Sequence, residues 1–248
     1  MILNNLTVLN TRPKNQAASL TQLIKQAGGN VIELPCTDIL PPENETTSQQ
    51  QIQKIKENDI VIVSSANAIP ILKKAWPKKN PTMIAIGSGT RDALMNAGFH
   101  RVLLPDTFDT EGLLTMPLLQ TVAHQPIWIC CGKDPRPVLH ETLLSRGAKV
   151  ELVICYQRRC PIINTDEMLN QLKKSHCNVF IFTSPESLTN FANMIALSKQ
   201  SWLLEIPIII ISEKMQRQAT RYQFKNIILA SNATNLSILD ALNTFCRA

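Results

Sequence analysis

Six short loops hold most of the side chains that could do chemistry. They are Thr11-Arg12-Pro13, Ser64-Ser65-Ala66-Asn67, Gly87-Ser88-Gly89-Thr90, Gly132-Lys133-Asp134-Pro135-Arg136, Thr183-Ser184-Pro185-Glu186-Ser187 and Ser212-Glu213-Lys214. Each follows a short apolar run and precedes a stretch of helical periodicity, the point where a parallel sheet hands the chain to a helix N-terminus. Unpaired backbone N–H groups and the positive end of the helix dipole attract anions there. Hydroxyls and small residues dominate these loops, with Arg12, Arg91, Lys133, Arg136 and Lys214 in or beside them. Such a set suits a ligand carrying several carboxylates or phosphates. A Ser, Thr or Asn before a helix is also an ordinary N-cap, the simpler explanation for any one loop, so the binding reading rests on the six together.

Other familiar chemistry is absent from the sequence. The GSG at Gly87 to Gly89 lacks the third glycine of GxGxxG, and no GxxxxGK[ST] loop or GxSxG elbow occurs. Cys130, Cys131, Cys155, Cys160 and Cys177 fall in or beside apolar strands without zinc-site spacing and read as core thiols. His100, His124, His140 and His176 are scattered and read as surface or structural residues. These residues give no metal-site spacing and no nucleotide loop. Tyr156 stands out, since it closes the apolar run VELVIC and precedes Gln157-Arg158-Arg159. Its phenol could face a cleft as a proton donor, or the ring could pack one face at an interface.

The elements that must position these groups alternate along the chain. Strands are expected at Leu6 to Asn10, Val31 to Pro35, Ile60 to Val63, Met83 to Ile86, Val102 to Leu104, Ile127 to Cys131, Lys149 to Ile154, Val179 to Phe182, Pro207 to Ile211 and Ile227 to Leu229. Helices follow from near Asn67, Gly89, Thr110, Pro137, Thr165, Pro185, Glu213 and Thr234, with weaker periodicity over Ser48 to Glu57 and a Gly28-Gly29 stop after Ala17 to Ala27. IVSSANAIPIL at Ile62 is echoed by IFTSPESLTNF at Ile181. Gly28 matches Gly147 and Ser65 matches Ser184 at an offset of 119, while Gly87 matches Ser212 at 125. Either the chain contains a diverged duplication or generic βα units look alike. The pattern predicts an α/β protein of two doubly wound (flavodoxin-like) parallel-sheet domains joined by two extended linkers.

Composition sets the outer limits. The 248 residues are 44% hydrophobic and 18% charged, enough for two cores, and the net charge of +6 favours an anionic partner. Rings make up 5% and are not interleaved with a basic run, so no nucleic-acid platform is expected. LLEIPIIIIS from Leu203 is too short to cross a bilayer, and MILNNLTVLN lacks the pattern of a signal peptide, so no membrane span and a cytoplasmic location are expected. The odd set of seven cysteines without CxxC agrees with a reducing compartment.

TRP at Thr11, AGGNVIELP, SSANAI at Ser64, Gly87 to Thr90 as GxxT, TEGLL at Thr110, CGKDPRPVLHETLLSRGAKVELVICYQR from Cys131 and FTSPES at Phe182 together resemble the uroporphyrinogen-III synthase family, in order over nearly the whole chain. The resemblance implies a cofactor-free cyclisation of the linear tetrapyrrole hydroxymethylbilane, a polycarboxylate, to uroporphyrinogen III, with inversion of the last pyrrole through a spiro intermediate and loss of water. It also implies a discontinuous first domain, 1–36 with 161–248, and a second of 37–160. Tyr156 then matches the family's tyrosine as general acid and Thr90 its cleft threonine. Arg12, Ser64, Ser65, Asn67, Gly87, Ser88, Lys133, Arg136, Thr183, Ser184, Ser187, Ser212 and Lys214 are the expected substrate contacts. Where the family's second GxxTAxA lies, this chain reads Ser212 to Gln218 without the threonine, and Lys214 or Arg217 either holds a carboxylate or is a solvated helix charge. A monomer, and transient contact with hydroxymethylbilane synthase, are expected. A non-catalytic binder of an anionic metabolite and a nucleotide-sugar glycosyltransferase are the competing readings; the latter would show a clearer phosphate loop.

Overall fold

The computed structural model describes residues 3–4, 6–77 and 79–247; Met1 and Ala248, the expected outer bounds of the first domain, lie outside them. The chain opens with β1 (Thr7–Asn10), α1 (Lys14–Gln26), β2 (Asn30–Glu33), β3 (Asp38–Leu40) and α2 (Glu45–Lys54). It continues through β4 (Ile60–Val63), α3 (Ile69–Ala75), β5 (Thr82–Ala85), α4 (Ser88–Asn96), β6 (Val102–Leu103), α5 (Thr110–Thr115), α6 (Pro117–Gln120), β7 (Pro126–Gly132), α7 (Pro137–Ser145) and β8 (Lys149–Arg159). It ends with α8 (Thr165–Lys174), β9 (Val179–Ile181), α9 (Pro185–Met194), β10 (Ile208–Ile210), α10 (Glu213–Arg221), β11 (Ile227–Leu229) and α11 (Asn235–Phe245). By contacts the chain divides into Met1–Asp38 with Arg159–Ala248, and Ile39–Arg158.

In the first unit the strands lie in the order β11-β10-β9-β1-β2; in the second, β3-β8-β7-β4-β5-β6. Both sheets are buried on both faces, as parallel sheets require. In the second, Val61, Val63, Met83, Trp128, Cys130 and Val153 pack on one side and Ile60, Ile62, Ile84, Ile127 and Ile129 on the other, alternating along each strand. The first unit has the same two-sided core, one side centred on Phe180, Phe182 and Phe191, whose ring centroids lie 5.2 to 6.4 Å apart.

The internal echo is structural. An offset of 119 carries β1, β2 and β4 onto β7, β8 and β9, and 125 carries β5 and β6 onto β10 and β11. Four pairs of registers obey it. Thr7↔Asn30 corresponds to Pro126↔Lys149, and Val8↔Val179 to Ile127↔Ile60. Phe180↔Ile208 corresponds to Val61↔Met83, and Ile208↔Ile227 to Met83↔Val102. The spatial orders β2-β1-β9-β10-β11 and β8-β7-β4-β5-β6 are therefore one order. Apart from the edge strand β3, each sheet takes two strands from one repeat and three from the other, so the repeats are exchanged between the units. Generic likeness of βα units would not reproduce four registers.

Three departures from expectation have local causes. The two extended linkers, expected near Cys36 to Pro42 and near Tyr156 to Pro161, are in part strands, since β8 runs to Arg159 and lies beside β3; Gln157 Nε2 donates to the Pro41 carbonyl at 3.1 Å and Arg159 lies 3.9 Å from Asp38. No glycine or proline interrupts Tyr156 to Arg159, so nothing stops the strand before Pro161. The helix expected over Ser48 to Glu57 starts earlier because Asn44 Oδ1 accepts from the Thr47 N–H. The helix expected from Asn67 opens with a 3-10 turn at Ala66–Ala68 before α3.

Candidate functional site

In a doubly wound sheet ligands bind at the switch point, where strand order reverses beyond the carboxyl ends. In the second unit that point lies between β4 and β7. Ser64 Oγ, just past β4, donates to the Cys130 carbonyl of β7 at 3.1 Å, tying the two strand ends together. A cavity of about 300 Å³ opens there, lined by Ser64, Thr110, Gly132, Lys133, Asp134, Arg136, His140, Tyr156 and Arg158 above a floor that includes Ile86, Ile129 and Leu152.

Tyr156 lines this cavity just past a bulge that turns its ring into the core. Cys131 pairs with Ile154, but the next β7 residue, Gly132, pairs with Tyr156, so Cys155 is an extra residue on β8. Alternation would put Cys155 and Tyr156 on opposite faces; instead both join the same core cluster as Val153. The Tyr156 ring is 3% exposed and lies against Gly132, where a Cβ would sit 2.8 Å from Cε2 and Cζ and 3.1 Å from the hydroxyl. Gly132 is needed for its missing side chain. Arg158 Nη2 donates to the Tyr156 hydroxyl at 3.1 Å, with Cζ 5.4 Å from the ring centroid. The phenol therefore sits at a wall of the cavity with its ring in the core.

Of the expected contacts in this unit, Ser64, Lys133, Arg136 and Tyr156 line the cavity, whereas Ser65, Asn67, Gly87, Ser88 and Thr90 do not. Lys133 Nζ is 2.6 Å from Glu43, whose carboxylate, by its hydrogen bond and then its charge, raises the Lys133 pKa. Arg136 is exposed and precedes α7 without a side-chain cap. Ser65 Oγ accepts from the Asn67 N–H at 3.2 Å, a cap. Gly87 is the N-cap residue of α4 in an extended conformation, Ser88 begins the helix, and Thr90 is buried in its first turn. His140, Gly132 and Arg158 were not foreseen as site residues; only the glycine ending a strand gave a local signal.

In the first unit the switch point lies between β1 and β9. Thr11 Oγ1 donates to the Ile181 carbonyl at 2.6 Å across it. Arg12 is 7% exposed, and its guanidinium donates to Asn235 Oδ1 and the Ala233 carbonyl, so it is committed to holding the start of α11. Burial lowers its pKa. Ser184 and Ser212 cap α9 and α10, accepting from the N–H groups of Ser187 and Met215, and the buried Ser187 hydroxyl donates back to the Ser184 carbonyl at 2.8 Å. Thr183 is half-buried just past β9. Lys214 is exposed and lines a cavity of about 660 Å³ with Arg217, Gln218, Arg221 and Tyr222 along α10. Arg217 is 3.8 Å from Glu213. The threonine position of the second GxxT holds Met215, fully buried in the core.

The cysteines have structural surroundings. Burial pushes Cys131 and Cys177 up to about 12 and also raises Cys36, while Cys155 is raised first by its hydrogen bond with Cys130 and then by burial. Among the described residues no group of three or more His, Cys, Asp or Glu side chains could hold a metal ion, and no helix is long and apolar enough to cross a membrane. A cavity of about 560 Å³ near Lys73, Trp76, Phe99 and Arg101 lies at the N-terminal ends of β5 and β6, away from the helix N-termini.

Solved structures share the fold. A mutant uroporphyrinogen III synthase from the extremely thermophilic bacterium Thermus thermophilus superposes with a TM-score of 0.59 at 11% identity, covering 98% of this chain and 100% of that one. The Helicobacter pylori 26695 uroporphyrinogen-III synthetase gives 0.59 at 13% identity, covering 97% and 99%. Among curated proteins, the uroporphyrinogen-III synthase of Escherichia coli K12 is 26% identical over 246 residues, 96% of this chain and all of that protein. That of Synechococcus elongatus is 27% identical over 197 residues, 77% of this chain and 75% of that protein. The model of the family described as Uroporphyrinogen-III synthase HemD matches residues 18–240, and the chain belongs to that family.

Proposed function

We propose that this uroporphyrinogen-III synthase closes its linear hydroxymethylbilane substrate chiefly by holding one folded conformer, with the second-unit cavity as the chemical centre and Tyr156 as general acid. In the reaction of the family the terminal C–O bond breaks and the hydroxyl leaves as water. The resulting azafulvene cation is attacked at the substituted carbon of a pyrrole, and the spiro intermediate fragments and recloses with the last ring inverted. Tyr156 would give its proton to the departing hydroxyl and keep the oxygen electron pair. The proton lost from the substrate as the macrocycle forms restores the phenol. Atoms and charge then balance, with water the only other product.

The observation that carries this reading is the cavity itself, in which one phenol shares walls with Lys133, Arg136 and Ser64 at the sheet's switch point. Cations and a helix N-terminus suit carboxylates, and a positioned phenol suits a leaving hydroxyl. Ser65, Asn67, Gly87, Ser88, Thr90, Thr183, Ser184, Ser187, Ser212 and Lys214 are proposed to add substrate contacts through the helix N-termini they begin or precede. Arg12 acts by holding the first unit's switch loop. Family membership leaves the non-catalytic binder without support. We further propose a cytoplasmic monomer that receives its labile substrate from hydroxymethylbilane synthase by transient contact.

The test is to incubate the protein with freshly generated hydroxymethylbilane and separate the isomers. Uroporphyrinogen III in excess over the spontaneous isomer I is expected; isomer I alone would overturn the reading. Tyr156→Phe is expected to slow turnover by about 10²-fold, the low end of general acid catalysis. Unchanged turnover would remove the acid assignment.

A further inference from the structure

Tyr156 can serve as an acid only if its hydroxyl hydrogen points at the substrate, and a phenol O–H left to itself rotates about its C–O bond. A single neighbour fixes it. Arg158 Nη2 lies 3.1 Å from the phenol oxygen, and among the described residues that is the phenol's one hydrogen-bond partner. A guanidinium has donors and no acceptor, so the oxygen must accept, and its own hydrogen must turn away from Arg158. The arginine also lies over the ring, its Cζ 5.4 Å from the centroid, and lines the same cavity.

The strand explains the meeting. Residues two apart in a strand share a face, so once the bulge at Cys155 has turned Tyr156, Arg158 follows it to the same side. Gly132 bounds the ring at the β7 end. The phenol thus has one lone pair occupied and its ring held against the neighbouring strand.

We infer that Arg158 is a positioning residue for the acid step: it aims the Tyr156 proton into the cavity and stabilises the charge that develops on the oxygen as the proton leaves. A bond from a charged donor strengthens as its acceptor becomes negative, so its effect is larger in the transition state than in the resting enzyme. Lysine, a point charge without the planar fork, reproduces the attraction but not the fixed direction. The inference rests on Tyr156 being the acid.

Four proteins test it: Tyr156→Phe, Arg158→Met, Arg158→Lys and the double variant Tyr156→Phe/Arg158→Met, each assayed for kcat, KM, isomer ratio and urea midpoint. Arg158→Met is expected to lower kcat about tenfold, the worth of one charge-assisted hydrogen bond, with KM little changed. Arg158→Lys should recover part of that loss. The double variant should be no slower than Tyr156→Phe alone, because the arginine has nothing left to aim. If the two losses multiply, or if Arg158→Met raises KM and leaves kcat alone, Arg158 acts on the substrate directly and the inference is overturned. It is also overturned if Tyr156→Phe is slow and Arg158→Met is not, an outcome that leaves the acid itself standing. If Tyr156→Phe is silent, the acid reading falls and takes the inference with it.

Discussion

Gly132→Ala isolates the packing that presents Tyr156. A Cβ at Gly132 would stand 2.8 Å from Cε2 and Cζ of the ring. Carbon atoms in contact settle at about 3.5–4.0 Å, so ring or strand must retreat by roughly 1 Å. Tyr156 is 3% exposed and its hydroxyl accepts from Arg158 Nη2, so the ring has little room to move aside. Alanine in place of a strand glycine would otherwise stabilise by roughly 0.5–1 kcal/mol, so the sign of the change reports the clash. A net loss of about 1–3 kcal/mol is expected from overpacking, read as a lower urea midpoint at unchanged slope. Turnover should fall by about 10²-fold, the cost of misplacing a catalytic group by an ångström. Placing Gly132→Ala in a Tyr156→Leu background supplies the cycle, since removing the ring should remove the stability penalty. A Gly132→Ala protein as stable and as fast as the parent, or a penalty that survives Tyr156→Leu, would refute this packing of the Tyr156 ring on Gly132.

Two further perturbations follow from buried groups. Arg12→Met leaves Asn235 Oδ1 and the Ala233 carbonyl without their charged donor, and a stability loss of about 1.5–3 kcal/mol is expected in urea; a change within about 0.5 kcal/mol would show that the guanidinium does not hold α11. Cys131 and Cys177 are raised from 9.0 to about 12 by burial, so between those values the folded state keeps protons that the unfolded chain releases. Their contribution is fully present below pH 9.0 and is lost as pH rises toward 12, at about 1.4 kcal/mol per pH unit for each thiol. Cys177→Ala should therefore flatten the alkaline fall of the urea midpoint; an unchanged slope would mean that the thiol ionises freely in the fold.

Most of the architecture was legible because it is written in local pattern. Apolar runs such as Ile60 to Val63 and Ile208 to Ile210 become fully buried strands, and hydroxyl residues such as Ser65, Ser184 and Ser212 become caps. The repeat was visible in spacing, but its exchange between sheets was not, since strand partners are chosen by long-range packing. β3 was missed because three half-buried residues at a sheet edge carry no strong period. The site was legible in part. Lys133, Arg136, Ser64 and Tyr156 were identifiable as chemistry-bearing residues near strand ends. Arg12 read as an available cation because its partners Asn235 and Ala233 lie more than two hundred positions along the chain. The bulge that turns Tyr156 leaves no mark in composition, and Gly132 looked like any loop glycine until the ring lay against it.

Substrate chemistry is proposed to take place at the switch point of the second sheet. Amide shift mapping of isotopically labelled protein, titrated with uroporphyrinogen III under argon, tests it most directly. Shifts at Ser64, Gly132, Lys133, Tyr156 and Arg158 that saturate together are the expected result. Saturating shifts confined to the opposite end of the sheet, at Trp76, Phe99 and Arg101, with those five residues unmoved, would contradict it.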